Sequence, residues 1–299
     1  MQKKVFKITQ EDAGIRLDKY LADKLSDCVS RSEIRKMIDA GAIIIKGAQI
    51  KPRYIIKADE EVYVSIEAKD EQVLLAEDIK LDVVYQDDYL VVVNKPVGLT
   101  VHPPSFGVEH TMVNALLFHI DKLSDIAGPL KPGIVHRLDK DTSGLMVIAK
   151  DNNTHEKLAL QFKERTVLRE YIAVVMGVVE FDQGVIDAPI GRSLNMRLKR
   201  VIDYNSDRDA ITNYNVIKRY KKKTVLKLSL KTGRTHQIRV HLKHINHPIM
   251  GDRSYGVGGD ASRQMLHAIR LGFNHPAFDD FRIFEAKMPE EMHVYIESL

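Results

Sequence analysis

The residues best suited to chemistry crowd into one stretch, Gly133-Ile134-Val135-His136-Arg137-Leu138-Asp139-Lys140-Asp141-Thr142-Ser143-Gly144. Two carboxylates, two or three cations and two hydroxyls follow an apolar lead-in and precede the apolar run Leu145 to Ala149. That run, entered at a glycine, reads as a buried strand, so the charged turn stands on rigid flanks. Loops held this way commonly carry function. A carboxylate placed here can act as a covalent nucleophile. On residue types alone, a polar turn laced with surface ion pairs is the preferred reading.

Three other groupings carry less. His236, His241, His244 and His247 suggest a metal site by number, yet no Cys accompanies them. On the strand that residues 236–241 suggest, His236 and His241 face opposite sides, so no metal is expected. Thr142-Ser143-Gly144 lacks the G-x-S-x-G elbow of a serine nucleophile. Gly256-Val257-Gly258-Gly259 lacks the strand–helix surroundings of a dinucleotide fingerprint. The single Cys28 excludes an internal disulfide framework and a multi-cysteine zinc site.

The elements that would position the charged turn sit in a chain of 299 residues, enough for one large and one small domain. There is no apolar run of membrane-spanning length and no apolar leader after Met1, so the cytoplasm is the expected compartment. Net charge is only +4, but it is unevenly spread. Residues 1–58 hold 13 Lys and Arg against 7 Asp and Glu, residues 59–82 hold 2 against 9, and the remainder 30 against 25. The acidic interval predicts a boundary: a small domain over residues 1–68, a solvated linker over 69–82, and a large domain over 83–299.

In the small domain, Leu17, Leu21 and Leu25 form one helical stripe. Ser30-Arg31-Ser32-Glu33 reads as a capping box opening a helix that Gly41 ends. That helix leaves Arg31, Arg35 and Lys36 outside, and short strands follow over 42–45 and 62–66. In the large domain, Val83–Tyr85 and Leu90–Val93 predict a hairpin, with Pro96 ending its second strand. Residues 111–120 predict a helix, and Asn153 or Thr154 a cap for another running to Glu164. Strand patterns recur over 171–179, 213–218, 225–230 and 236–241. Mixed strands, short links and few helices make the class α+β. Basic clusters lie at Arg192 to Arg200 and at Lys218 to Lys223. The second reads as a solubilising hairpin tip, whereas for the first phosphate contact and a solvated face are about equal.

His136-Arg137-Leu138-Asp139 with Thr142-Ser143-Gly144 resembles the signature loop of the RluA family of RNA pseudouridine synthases. Asn94-Lys95-Pro96, Arg169-Glu170-Tyr171, Gly233-Arg234-Thr235-His236-Gln237-Ile238-Arg239, His247-Pro248-Ile249-Met250-Gly251-Asp252 and Leu266-His267-Ala268 resemble its other motifs, in its order. Arg16-Leu17-Asp18-Lys19-Tyr20-Leu21 and Ser30-Arg31-Ser32-Glu33-Ile34 resemble the S4 RNA-binding domain. Within the family the pattern is nearest the large-subunit ribosomal RNA synthase D type.

The resemblance implies one mixed, largely antiparallel sheet with the active cleft across it, preceded by a small S4-like α/β RNA-binding domain. It implies isomerisation of uridine to pseudouridine in structured RNA, with no cofactor, no metal and no redox step. Asp139 would be the essential carboxylate, Arg239 its cation and Tyr171 the active-site tyrosine. Arg137, and with it His136, would attend the extruded nucleotide, although a structural histidine fits His136 as well. Arg16, Arg31, Arg35, Lys36 and Arg192 would contact RNA. The expected partner is large-subunit ribosomal RNA or an assembling subunit, the expected state a monomer. Transfer RNA as substrate, or a non-catalytic RNA-binding or assembly factor, are the alternatives.

Overall fold

The computed structural model describes every residue except 1, 26–28, 30, 67–72, 194–195, 197–198 and 257–259. The proposed linker residues 69–72, Ser30 of the proposed capping box and Val257 to Gly259 of the glycine loop therefore lie outside the described residues. The chain divides into two compact units, residues 1–72 and 73–299.

In the first unit, β1 (Gln2–Lys7), α1 (Leu17–Lys24), α2 (Arg31–Asp39), β2 (Ile43–Ile45), β3 (Ala48–Gln49) and β4 (Glu61–Ile66) follow one another. The strands form an antiparallel sheet in the order β1-β4-β2-β3. Leu17, Leu21 and Leu25 are buried together with Ile34 and Ile38 of α2 and with Ile43, Val62 and Val64 of the sheet. Burying these aliphatic side chains drives the closure of so small a unit.

The second unit is built on a nine-stranded sheet. Its strands are β5 (Val83–Gln86), β6 (Leu90–Lys95), β7 (Ser143–Ala149), β8 (Leu168–Met176), β9 (Gln183–Asp187), β12 (Ile211–Arg219), β13 (Lys223–Leu230), β14 (Leu266–Asn274) and β15 (Phe281–Glu285). The order is β5-β6-β7-β14-β8-β13-β12-β9, with β15 also on β14. Among these pairings only β7 with β14 is parallel. A separate hairpin, β10 (Ile190–Arg192) with β11 (Arg200–Ile202), carries the ends of the first basic cluster. Helices α3 (Met112–His119), α4 (Asn152–Glu164), α5 (Gln237–His244) and α6 (Glu290–Glu297) complete the unit. No helix among the described residues is long and apolar enough to cross a membrane.

Every residue of β7 is buried, as its uninterrupted apolar run implied. Met146 and Ile148 pack with Met112, Leu116, Ile238 and Leu242, while Leu145, Val147 and Ala149 pack with Leu158 on the other face. The strand thus contributes one face to the main core that also holds residues of α3 and α5, and packs its other face on α4.

The structure differs from the sequence reading in several places. Residues 236–241 do not make a strand; Gln237–His244 is a helix. Ile238, Val240 and Leu242 alternate as a strand would, but Gln237 through Leu242 are all buried, so the helical period was hidden. Helix α4 is capped by Asp151, whose side chain accepts from the Thr154 N–H, and not by Asn153 or Thr154. Strand β14, central in the sheet, carried no recognised strand pattern. Residues 73–82, read as linker, run on the second unit: Leu74 joins its core and the Glu77 N–H donates to the Asn114 carbonyl.

Candidate active site

The charged stretch occupies the loop that enters β7. The Ala149 N–H donates to the Gly133 carbonyl, and Ile134 bridges Ile148, so the apolar lead-in is fastened to the strand that follows the loop. Gly144 sits at φ +119 against β14, where a Cβ would lie 2.3 Å from the Ala268 carbonyl oxygen. Only glycine permits that approach. The loop is closed by Thr142, whose N–H donates to the Asp139 carbonyl and whose hydroxyl accepts from Gln264 Nε2.

Beneath the loop, Lys95 at the end of β6 is fully buried, and its Nζ donates to the carbonyls of Pro96, Leu99 and Lys140. One ammonium thus ties the loop after β6 to the loop that holds Asp139. Burial lowers its pKa to about 7, an effect that the nearby carboxylates of Asp139 and Asp141 partly offset.

Asp139 is 17% exposed, and its Oδ2 accepts from Arg239 Nη1 at 2.9 Å. Arg239 projects from α5 and is itself fixed from behind. Its Nε and Nη2 donate to Asp252 Oδ2 and Oδ1 at 2.7 and 2.9 Å, a bidentate pair in a fully buried setting. Asp252 Oδ1 also accepts the N–H groups of Ser254 and Tyr255. Burial alone would raise the Asp252 pKa, but Arg239 and these N–H groups hold it below the usual carboxylate range. Arg239 likewise stays charged despite its burial, because Asp252 and Asp139 flank it.

Helix α5 is oriented through Gln237, whose Oε1 accepts from Thr232 Oγ1 and the Arg234 N–H, and whose Nε2 donates to the Ile211 carbonyl and Thr212 Oγ1. At its N-terminus His236 adopts the left-handed conformation, φ +60. Its Nε2 lies 3.8 Å from Asp139 Oδ1, and its Nδ1 shares a 2.8 Å hydrogen bond with the Tyr255 hydroxyl. Burial lowers its pKa, which the Asp139 charge partly offsets. The Tyr255 ring lies against the Arg239 guanidinium, 4.9 Å from centroid to carbon.

Asp139, Arg239, Tyr171, Arg137 and His136 all line one cavity of about 510 Å³. Tyr171, from β8, is buried, and burial raises the pKa of its hydroxyl. A second cavity of about 580 Å³ shares Arg137, Leu138, Asp139, His236 and Arg239 with the first, and adds Lys140, Asp141 and Lys199. His136 is held by structural contacts: its Nε2 accepts from the Val147 N–H and its ring stacks on Phe162 at 4.5 Å. Burial lowers its pKa to about 3, so the ring is neutral. Arg192 is exposed on β10 and lines neither cavity. Asp252, His236, Tyr255 and Lys95 had no role assigned from sequence, although each lies in or near a motif. No group of acidic, histidine or cysteine residues suited to a metal occurs among the described residues.

In the first unit, Arg16, Arg31 and Arg35 converge on Asp18, whose side chain is 0% exposed. Asp18 Oδ2 accepts from Arg16 at 2.8 Å, Arg31 at 3.1 Å and Arg35 at 3.2 Å. Against the opposing effect of burial, these bonds lower its pKa to about 2. The three guanidinium groups remain a third to half exposed, and Lys36 beside them is exposed.

Residues 89–244, which hold Asp139, Tyr171 and Arg239, match the family model of RNA pseudouridylate synthases. The chain belongs to that family. Residues 15–62 match the S4 domain model. An uncharacterized RNA pseudouridine synthase of Bacillus subtilis is 41% identical over 97% of this chain and 96% of its own. A ribosomal large subunit pseudouridine synthase D of Neisseria meningitidis is also 41% identical, over 97% of this chain and 80% of its own. The solved structure of human RNA pseudouridylate synthase domain containing 4 matches with a TM-score of 0.57 at 26% identity, covering 72% of this chain and 92% of that one. The protein is thus an isomerase of the pseudouridine synthase class with an S4 domain before its catalytic fold.

Proposed function

We propose that this synthase isomerises uridines of large-subunit ribosomal RNA, with Asp139 as the attacking carboxylate and the target nucleotide extruded into the 510 Å³ cavity. The observation that carries the reading is the Asp139–Arg239–Asp252 chain facing Tyr171 across one cavity. Arg239, held by Asp252, presents Nη1 to Asp139 Oδ2 at 2.9 Å and so fixes the carboxylate in the cavity beside a cation.

Asp139 attacks the nucleotide, the C1′–N1 bond breaks, and the freed uracil turns against the Tyr171 ring. The C1′–C5 bond then forms, the bond to Asp139 breaks and returns its electron pair to the carboxylate, C5 loses its proton and N1 gains one, so the sequence is a net isomerisation. Reaching C1′ requires unstacking the nucleotide. Arg137, exposed at the edge common to both cavities, suits the gap that the base leaves. Residues 1–72 serve as an RNA-binding part through Arg16, Arg31, Arg35 and Lys36, and residues 73–299 as the catalytic part. The relatives named ribosomal large subunit synthase D support the substrate class.

A pseudouridine map of ribosomal RNA from cells with the intact gene, a deletion and Asp139→Asn tests this. Loss of the same sites in both altered strains is the expected outcome. An unchanged ribosomal map with sites lost from transfer RNA overturns the substrate class, and RNA binding without any modification overturns the catalytic reading.

A further inference from the structure

The first cavity contains a second, half-buried cation that no carboxylate among the described residues answers. Arg169 on β8 lines its wall two residues before Tyr171, on the same face of the strand and about 6.6 Å away. Its Nε is buried without a hydrogen-bond partner, and among the described residues its side chain makes only one long bond, 3.4 Å from Nη2 to the Leu230 carbonyl. Among the described residues no carboxylate oxygen lies within ion-pair distance of it. The Phe162 ring lies 5.8 Å from the guanidinium carbon.

This contrasts with Arg239, Arg263 and Arg270, each of which meets at least one carboxylate. An unpaired charge taken from water is costly, so a site that keeps one is built for an anion that arrives later. Gly233 makes room for it: a Cβ there would lie 2.6 Å from Arg169 Nη1. Among the described residues Asp139 is the one carboxylate that lines the cavity, and it is already engaged by Arg239. Lys163, Arg165 and Arg234 line the same cavity, so the field around Arg169 favours a negative group from outside.

We infer that Arg169 is the seat for a phosphodiester flanking the extruded uridine, held while Tyr171 receives the base and Asp139 faces the sugar. The inference rests on the pseudouridine synthase reading of this cavity. Arg169 then acts as a positioning residue: it locks the flipped nucleotide through its backbone and makes no contact with the bonds that change.

The test uses the full-length protein and a short RNA that it modifies, prepared with all phosphates or with one neutral methylphosphonate on the 5′ or the 3′ side of the target uridine. On all-phosphate RNA, Arg169→Gln is expected to lower kcat/KM roughly 10- to 100-fold, with Arg169→Lys intermediate. One of the two methylphosphonates is expected to lower wild-type kcat/KM to a similar degree and to lower that of Arg169→Gln no further. Gly233→Ala serves as the second variant, since its methyl group meets the far end of a flexible side chain and displaces the guanidinium while leaving its charge. It is expected to reproduce the loss of coupling with an unchanged melting temperature. Equal fractional losses in wild type and Arg169→Gln at both positions would overturn the phosphate seat while leaving the activity intact. Absence of turnover by the wild type on any RNA overturns the underlying reading as well.

Discussion

The two units use the same pair of residue types in opposite proportion. In the first, one buried carboxylate, Asp18, serves three arginines. In the second, one buried arginine, Arg239, serves two carboxylates, Asp139 and Asp252. The first cluster carries an excess of positive charge on half-exposed guanidinium groups, which suits phosphate contact. The second carries an excess of negative charge and leaves Asp139 Oδ1 free of hydrogen bonds among the described residues, with His236 3.8 Å away. Proportion, and not composition, separates a cationic face suited to phosphate from a carboxylate with an open oxygen.

The largest effect expected from breaking this comparison is at Asp139. Asp139→Asn keeps the shape of the side chain and removes the proposed nucleophile, so single-turnover pseudouridine formation should fall by at least about 10³-fold. RNA affinity measured in the same salt should hold, because the groups proposed to bind phosphate are untouched. Activity within about tenfold of wild type would remove Asp139 from the mechanism.

Asp252→Asn tests whether Arg239 needs its second carboxylate. Removing one partner of a buried bidentate pair costs about 3–5 kcal/mol, so the second unit should unfold at distinctly lower urea while the first is unaffected. Turnover should fall as well, since Arg239 loses the anchor that aims it at Asp139. Equal destabilisation of both units, followed by hydrogen exchange, would contradict the separation.

These two residues also mark how far the sequence could be read. Asp139, Tyr171 and Arg239 are scattered over 100 positions, yet each lies in a motif with a family counterpart, so their meeting was expected. Asp252 lies in such a motif too, but its partner is 13 positions away in a segment read as a strand. In a strand Arg239 could not have been placed over the turn at Asp252. The alternation of Ile238, Val240 and Leu242 imitates a strand, and the burial of Gln237 through Leu242 sets no exposed face against it. Asp18 was hidden for a different reason. The Leu17–Leu21–Leu25 stripe was plain, but a carboxylate next to it reads as solvent-facing until three arginines are found around it.

Acid should separate the units, because their titrating groups are shifted in different windows. The second unit buries His136 and His267 as neutral rings, with pKa values lowered by burial to about 3 and about 4 from 6.5. Unfolded, these rings take up protons that the folded unit refuses. The contribution of these two rings is therefore fully present above pH 6.5 and is lost as pH falls from 6.5 towards 4 and 3. The first unit contains no histidine, and its Asp18 is shifted from 3.8 to about 2. That contribution is present above pH 3.8 and is lost only as pH falls through 3.8 towards 2. Hydrogen exchange followed against pH should show the second unit opening first. His267→Gln should narrow the gap, and simultaneous opening in both proteins would count against it.

The smallest effects belong to the first unit's surface, and they tell a shared cation from a free one. Arg35 contributes to the Asp18 cluster, whereas Lys36, its neighbour, has no partner among the described residues. If both contact phosphate, Arg35→Ala and Lys36→Ala should each reduce the slope of log affinity against log salt by about 1. They should differ in stability. Arg35→Ala leaves Asp18 with two arginines and should lower the melting of the first unit, whereas Lys36→Ala should leave it unchanged. In both, KM for RNA should rise while kcat at saturating RNA holds, because neither side chain lines the cavity that contains Asp139. A salt slope unchanged in Lys36→Ala but reduced in Arg35→Ala would confine RNA contact to the three arginines that Asp18 orders. The buried carboxylate would then be what turns a scatter of surface charge into a binding face.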